Sequence, residues 1–341
     1  MNAASPVARG ARYALLDVFT DTPLQGADAV ILALRFSVLK DVIDEIADAL
    51  GNKSLVVPSN PVGLDARAIS AASMQPLARE LNLSETVYVL APERGGDARI
   101  RIFTPTAELA FAGHPVLGTA IALGAERGLE HVTLETGAGV VPVALRGGGE
   151  GGEAGAGEDG RGAHGTQARA GARVGYGSML QPIPTWQPFE REAELLAALG
   201  VERSGLPVEA YVNGPRQAFV ELESEDAVAA VAPDMRALAE LGAVGANCFA
   251  GAGRRWKTRN FAPGLGIAED PATGSAAGPL AVHLARHGRI AFGEEIEIRQ
   301  GAELRRPSLL RARALGTAAA IERVEVGGAA VLVAEGEFRL G

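Results

Sequence analysis

The chain has 341 residues, of which 47% are hydrophobic and 21% charged, as in a globular protein with room for two domains and a substantial core. Its net charge of −9 argues against nucleic acid and anionic membranes as partners. The single cysteine, Cys248, excludes an intramolecular disulfide, and no apolar run reaches the roughly 20 residues that would span a bilayer. With no signal-peptide pattern at the start, we expect a cytoplasmic protein.

The first half of the chain alternates between strand and helix patterns. Apolar residues at helical spacing, from Val38 to Leu50, predict a helix within residues 35–63, and a second short helix is predicted at 70–83. Short apolar runs bounded by turn residues predict strands before and after these helices. The predicted strands are residues 11–26, 27–34, 84–93, 98–109 and 131–145.

Residues 147–171 differ in composition from everything around them. They contain 11 glycines and no large apolar residue, which predicts a low-complexity loop without a fixed structure. The hexapeptide GAGEDG within them fits the G-x-G-x-x-G pattern of dinucleotide-binding loops. Because no helical pattern follows it, and glycine density alone produces the match, we assign no nucleotide site there.

The second half repeats the alternation of strand and helix patterns seen in the first half. Strands are predicted at 172–180, 207–223 and 242–262, with helices at 189–199 and 233–241 and a further helix that begins at Gly274–Ser275. The last segment, VEVGGAAVLVAEGEFRL, is predicted to be a hairpin with Gly327–Gly328 near its bend.

These patterns predict an α+β fold of two similar halves, each a curled, mostly antiparallel sheet around one central apolar helix. We place the first half at residues 11–137 together with the C-terminal strands at about 324–341. The second half takes residues 138–323, including the loop at 147–171.

Two helix starts have the same form. Gly113–His114 in FAGHPVLGTA corresponds to Gly274–Ser275 in EDPATGSAAGPLA, and each pair begins a helix rich in glycine, alanine, leucine and valine. A helix N-terminus leaves backbone N–H groups unpaired and carries a partial positive charge, so it readily binds a carboxylate or phosphate. Either helix alone is compatible with a capped core helix, with Thr273 or Ser275 as the cap of the second. Two copies with a polar neighbour at the same place favour an anion site between the halves.

Ionisable residues lie beside these helix starts. His114 at a helix N-terminus is expected to resist protonation, because the helix end disfavours positive charge. Asp270, a few residues before the second helix, is either a cap or a carboxylate that orients a base or holds a substrate amine. Glu85, between a helix and an apolar strand, is either exposed or a buried general acid/base.

Histidine and cysteine are two further residue types that can form functional sites. His283 and His287 lie four residues apart on the second helix, a spacing that can bind a metal, but no H-E-x-x-H pattern and no clear third ligand accompany them. We therefore predict no metal. Cys248 begins neither helix and is interpreted as a small buried apolar residue.

The segments VFTDTPLQG, NLSET, RIFTPTAELAFAGHPVLGTA, EDPATGSAAGPLA, QGAELRRPS and VEVGGAAVLVAEGEF resemble, in order, the blocks of the phenazine-biosynthesis PhzF-like family. The resemblance covers most of the chain outside residues 35–68 and 147–171. The chain departs from the family at Gly26-Ala27-Asp28, where other members continue Gly-Asn-Pro. The resemblance implies the diaminopimelate-epimerase-like fold and a cofactor-free isomerase, often a homodimer, that acts on a small carboxylate-bearing substrate.

By the same resemblance, Glu85 is the general acid/base, and His114, Asp270 and Ser275 are the other polar catalytic residues. Backbone amides at Gly113–His114 and Gly274–Ser275 would hold the substrate carboxylate. The family's phenazine-pathway member isomerises trans-2,3-dihydro-3-hydroxyanthranilate, and we expect similar proton-transfer chemistry here.

Two alternatives stay open: a catalytically idle small-molecule-binding protein, and an amino-acid epimerase or racemase, which needs a second base opposite Glu85. The more distant epimerases use two cysteines at the helix starts, where this chain has His114 and Ser275.

Overall fold

The computed structural model describes the backbone of residues 9–32, 54–59, 71–146 and 174–340, apart from residues 24, 82 and 84. The predicted helix within 35–63 and the predicted loop at 147–171 lie outside the described residues. None of the described helices is both long and apolar enough to cross a membrane.

Strands dominate the described part of the chain and are connected into one sheet of eighteen strands. Most neighbouring strands are antiparallel, as predicted, and five pairings are parallel. The strands are β1 (Arg9–Val18), β2 (Ala27–Leu32), β3 (Ser54–Ser59), β4 (Thr86–Leu90), β5 (Ala98–Phe103), β6 (Glu108–Leu109), β7 (His131–Thr136), β8 (Gly139–Arg146), β9 (Val174–Gln181), β10 (Thr185–Pro188), β11 (Glu209–Val212), β12 (Arg216–Glu221), β13 (Val244–Ala252), β14 (Arg255–Ala262), β15 (Ile267–Asp270), β16 (Glu295–Gln300), β17 (Ser308–Gly316) and β18 (Ile321–Leu340).

Six α-helices are found in the described residues: α1 (Ala71–Leu81), α2 (Gly113–Arg127), α3 (Glu192–Leu199), α4 (Glu225–Ala230), α5 (Met235–Glu240) and α6 (Gly274–Arg286). Four of the predicted helices, α1, α2, α3 and α6, are confirmed, and α5 matches the prediction at 233–241. The short helix α4 was missed. Its six residues carry too little periodic pattern to be recognised, although Ser224 caps it by accepting a hydrogen bond from the Ala227 N–H.

Helices α2 and α6 lie at the centre of the molecule. Every residue from Gly113 to Gly124 is buried, and so is every residue from Gly274 to Ala285. A helix that is apolar on all sides has no face to present to water, so it must be surrounded. Helix α2 packs on β1, β2, β7, β8, β9 and β18, α6 packs on β17 and β18, and the two helices contact each other. The division into halves at residue 137 stays a prediction.

The predicted C-terminal hairpin is wrong. Residues 321–340 form one continuous strand, β18, which pairs in turn with β17, β9 and β1. Neither Gly327 nor Gly328 has the positive φ that a two-residue hairpin turn requires. These glycines instead permit close packing, because a Cβ on Gly328 would lie 2.3 Å from the Phe19 ring and one on Gly327 would lie 2.8 Å from the Tyr176 hydroxyl.

Candidate active site

The two buried helices meet at their N-termini. A Cβ on Gly113 would lie 2.4 Å from the carbonyl carbon of Gly274 and 2.6 Å from the backbone nitrogen of Ser275. Such distances are shorter than any tolerated contact, so both helix starts need glycine to come this close. Ala112 and Thr273, the residues at the cap positions, make no side-chain capping hydrogen bond. The prediction that Thr273 caps α6 is therefore wrong, since its hydroxyl binds Asp270 instead.

Glu85 and His114 form a buried pair beside these helix starts. Glu85 immediately precedes β4, and His114 is the second residue of α2. His114 Nε2 lies 2.9 Å from Glu85 Oε2, and the side chains of the two residues are 2% and 6% exposed. The glutamate at the entrance to this apolar strand is thus buried and held by an imidazole.

The direction of the His114 pKa shift is opposite to the one expected from the helix end. Burial disfavours the charged imidazolium, but the carboxylates of Glu85 and Asp270 and a hydrogen bond to the backbone of Ala272 together raise the pKa of His114. The sequence-based expectation of a histidine that resists protonation is corrected, because it counted the helix dipole and not the two acids that the fold brings to the same ring.

Asp270 ends strand β15 and lies on the other side of the site. Its Oδ2 accepts a hydrogen bond of 2.8 Å from the Thr273 hydroxyl, and its Oδ1 accepts one of 3.4 Å from the Ala272 N–H. Burial, with the negative charge of Glu85, raises the pKa of Asp270 against the opposing effect of His114. The charges of two carboxylates and one imidazole therefore interact with one another in a single buried site.

Gln300 fixes the approach to helix α6 and was not singled out by sequence reasoning as a site residue. Its Nε2 donates to the Asp270 carbonyl at 2.7 Å and to Thr273 Oγ1 at 2.9 Å, while its Oε1 accepts from the Thr273 N–H at 3.1 Å and from the Thr258 hydroxyl at 3.2 Å. Two signals could have drawn attention to it: its place at the start of the block QGAELRRPS, which resembles the family, and its position at the end of a strand before Gly301.

Glu85, His114 and Asp270 line one cavity. Its volume for a water-sized molecule is about 20 Å³, within about 390 Å³ of empty space that includes the part open to solvent. The cavity brings together every residue that the sequence analysis proposed for the site, and its wall includes two amides that were not proposed, Gln217 and Asn260. The predicted residues that line it are Glu85, Gly113, His114, Asp270, Gly274 and Ser275.

The histidines of α6 lie outside this cavity, in a cluster around Glu209. The ligand atoms of Glu209, His283 and His287 lie within 4.8 Å of one another, so the third ligand missing from the sequence pattern exists in space. However, Arg286 donates to Glu209 Oε2 at 2.6 Å, so a guanidinium already binds the carboxylate oxygen that faces both imidazoles. The arrangement suits an ion-pair cluster better than a cation site.

Cys248 is a core residue, as predicted. It is fully buried on β13 among apolar neighbours, and burial raises the pKa of its thiol to about 12. A thiol that stays protonated and lies away from the cavity has no part in two-thiol racemisation.

The fold and site define the class of protein. A solved structure with the same architecture is that of a Bacillus anthracis phenazine biosynthesis protein of the PhzF family. It has a TM-score of 0.69 and 23% sequence identity, and the match covers 97% of this chain and 99% of that one. A predicted epimerase from Pseudomonas aeruginosa has a TM-score of 0.68 and 27% identity, with the same coverage of both chains. A hydroxyproline epimerase from Agrobacterium vitis shares the fold at TM-score 0.53 and 15% identity, covering 97% of this chain and 93% of that one. The fold is thus the diaminopimelate-epimerase-like α+β fold.

Sequence comparison gives the family. The sequence model described as "Phenazine biosynthesis-like protein" matches residues 46–336. The trans-2,3-dihydro-3-hydroxyanthranilate isomerase of Pseudomonas aeruginosa is 46% identical to this chain, over 96% of this chain and 99% of its own length. The isomerase of the same name from Pseudomonas fluorescens is 50% identical, over 84% of this chain and 96% of its own length. The chain belongs to the phenazine biosynthesis-like family, and it is an isomerase.

Proposed function

We propose that this isomerase converts trans-2,3-dihydro-3-hydroxyanthranilate by moving a proton between two ring carbons, with Glu85 as the general acid/base. The observation that carries the proposal is the buried Glu85–His114 pair at 2.9 Å, on a cavity formed where two glycine-led helix N-termini meet. The substrate is taken from the isomerases of three Pseudomonas species, which are 46–50% identical to this chain.

The chemistry needs one carboxylate. In a 2,3-dihydro ring, carbon 3 carries the hydroxyl and a hydrogen, and the remaining double bonds run in conjugation to carbon 1, which carries the carboxylate. Glu85 takes the proton from carbon 3, the electron pair of that C–H bond shifts the double bonds along the ring, and the same proton returns at carbon 1. The product is an enol at carbon 3, which becomes a ketone. Atoms and charge balance without an added redox partner.

The helix starts are suited to hold the substrate carboxylate. The N–H groups and the partial positive charge of a helix N-terminus favour an anion. Here two such ends converge, and the residues at their cap positions, Ala112 and Thr273, provide no side-chain cap. Backbone amides at Gly113–His114 and Gly274–Ser275 would take this group. A carboxylate bound there is fixed next to Glu85 and Asp270.

His114, Asp270 and Ser275 have supporting roles in the proposal. A protonated His114 stabilises the Glu85 carboxylate before it takes the proton. Asp270 faces the substrate amine. Its carboxylate oxygens accept hydrogen bonds from Thr273 and Ala272, and their remaining lone pairs can accept from the amine. Ser275, 4% exposed on the cavity wall, offers its hydroxyl to the substrate.

We expect the reaction to proceed without a cofactor, because the side chains above supply the acid and base that it needs. By resemblance to its family, we also expect the protein to be a cytoplasmic homodimer. Sedimentation of the full chain at micromolar concentration tests the dimer.

The test is incubation of the substrate in deuterated water with wild type and with Glu85→Gln, followed by proton NMR. Glu85→Gln removes the base with almost no change in shape, so turnover is expected to fall by roughly 10²- to 10⁴-fold. The matched control is Glu80→Gln, the same change on the exposed face of α1, which should retain wild-type turnover.

A folded Glu85→Gln protein with full activity would contradict the mechanism. Deuterium incorporation together with formation of the cis diastereomer would instead support an epimerase. Binding of the substrate, seen as a thermal shift, with neither exchange nor turnover would support an idle binding protein.

A further inference from the structure

A row of side-chain amides crosses the cavity wall and ends at Asp270. Gln217 on β12 pairs in register with Gly245 on β13, and Asn247 follows Gly245 by two residues on the same face of β13. Asn247 pairs in turn with Asn260 on β14. Asn260 pairs with Asp270 on β15. A Cβ on Gly245 would lie 2.1 Å from Gln217 Oε1, so the glycine makes room for the first amide.

The orientation of all three amides follows from one backbone anchor. Asn247 Nδ2 faces the carbonyls of Gly245 at 3.3 Å and Ala218 at 3.5 Å, and only an NH₂ group can donate to them. Asn247 Oδ1 therefore faces Asn260, whose Nδ2 donates to it at 2.6 Å. Both Nδ2 groups then donate to Gln217 Oε1, at 2.8 Å from Asn247 and 2.9 Å from Asn260. Rotating any one amide by half a turn would set donor against donor or acceptor against acceptor.

This network leaves one donor and one acceptor unused. Gln217 Nε2 and Asn260 Oδ1 make no hydrogen bond to any described residue, although Gln217 is 3% exposed and Asn260 is 1% exposed. Neither atom is among the fully buried side-chain atoms without a partner, so both keep some accessible surface. Because both residues line the cavity, that surface faces the substrate space.

We infer that Gln217 Nε2 and Asn260 Oδ1 form a subsite for the hydroxyl group of the substrate; this inference rests on the proposed function. A hydroxyl oxygen accepts from an amide N–H and its hydrogen donates to an amide oxygen, so one hydroxyl satisfies both atoms. An ammonium group cannot accept and a carboxylate cannot donate, so neither matches the pair. When carbon 3 becomes a ketone, the oxygen keeps its bond from Gln217, and Asn260 loses its donor. The subsite therefore prefers the substrate and the enol to the ketone.

The test compares two non-reacting aromatic acids, 3-hydroxyanthranilate and anthranilate, which share the carboxylate and amine and differ only in the hydroxyl. Affinities are measured by calorimetry. Wild type is expected to bind the hydroxylated acid at least tenfold more tightly, because anthranilate leaves two buried polar atoms unpaired. Gln217→Met is expected to reduce this ratio by weakening only the hydroxylated acid, whose hydroxyl then keeps only its bond to Asn260.

Gln217→Met keeps the side-chain volume, and Asn247 and Asn260 each retain another acceptor for their Nδ2 groups. Gln217→Asn is the second variant, since it keeps the amide but withdraws its N–H from the cavity by one methylene. It should also weaken the preference. Gln187→Met, on an exposed residue away from the cavity, is the control and should keep the wild-type ratio. General distortion of the site would change both affinities alike and leave the ratio unchanged.

Equal affinity of wild type for the two acids, or a preference that is undiminished in both Gln217 variants, would overturn the subsite. Isomerisation by wild type without such a preference would overturn the subsite alone. A preference that depends on Gln217 in a protein that does not isomerise the dihydro substrate would overturn the proposed function and leave the hydroxyl subsite supported.

Discussion

His114 Nε2 lies 2.9 Å from Glu85 Oε2, and this contact connects the start of the central helix α2 to the residue that enters strand β4. Both side chains are almost completely withdrawn from water, with Asp270 on the same cavity. Charges in such surroundings interact more strongly than on a surface, so a change in one should be seen in the others.

The first prediction concerns this coupling. Glu85→Gln should lower the pKa of His114, because it removes the Coulombic attraction and the hydrogen bond that oppose burial of the imidazolium. Heteronuclear NMR titration of the five histidines, with His114→Gln to assign the signal, measures the shift. Glu80→Gln should leave the titration unchanged. An unaltered His114 pKa in Glu85→Gln would show that the pair is not electrostatically coupled.

The second prediction is a pH dependence of stability. The folded-state pKa of His114 is raised above its ordinary value of 6.5, so its contribution is fully present below that value and is lost as the pH rises through the folded-state pKa. The difference in Tm between wild type and His114→Gln should therefore be larger at pH 6 than at pH 9. A difference that grows with pH would mean that the histidine is held neutral.

The third prediction tests the contact between the two helix starts. Gly113→Ala should cost about 2 kcal/mol of stability and most of the activity, because its Cβ would lie 2.4 Å from Gly274 and push the helices apart. Gly128→Ala, at the other end of α2, is the control. It has open space around it and a left-handed φ of 66°, so it should cost about 1 kcal/mol and retain activity. Full activity of Gly113→Ala would show that the close approach is not needed.

The fourth prediction treats Gln300 as a positioning residue. Gln300→Met removes the bonds that hold Thr273 and the backbone of Asp270 and should cost about 2 kcal/mol of stability. It should lower kcat more than it raises KM, because Asp270 and the start of α6 lose their fixed geometry. Gln300→Glu, which keeps the acceptor for the Thr273 N–H, should recover part of kcat. Equal losses in both variants would contradict the role of that acceptor.

The fifth prediction separates the Glu209 cluster from the active site. Burial opposes the charge on Glu209, but hydrogen bonds from His283, Arg286, His287 and Tyr211 hold its pKa well below the usual range. Glu209→Gln should therefore lower the free energy of unfolding by roughly 3 kcal/mol at neutral pH while kcat is unchanged, because the cluster does not line the cavity.

This stabilisation should be present above the ordinary glutamate value of 4.5 and be lost as the pH falls through the depressed folded-state pKa. Addition of Zn²⁺ should not raise the Tm of wild type, since Arg286 already binds the carboxylate. A metal-dependent rise that disappears in Glu209→Gln would identify a cation site instead.

The sequence by itself determined the class of fold and the central helices, and it proposed the residues of the site. The segments that begin at Gly113 and Gly274 are rich in small and apolar residues, and both form buried helices. The glycines at their starts allow the two helices to approach closely. The resemblance of these segments to a family named the acid, the histidine, the aspartate and the serine, and all four line one cavity.

Only the tertiary structure decided how these groups are charged and what else surrounds them. The His114 pKa depends on Glu85 and Asp270, which are 29 and 156 positions away, and no local pattern records a through-space distance. The Gly327–Gly328 pair carries the local signal of a turn, but its neighbours Phe19 and Tyr176 come from distant segments. The amide row is likewise set by strand register, because Gln217 and Asn260 become neighbours only when β12, β13 and β14 pair side by side.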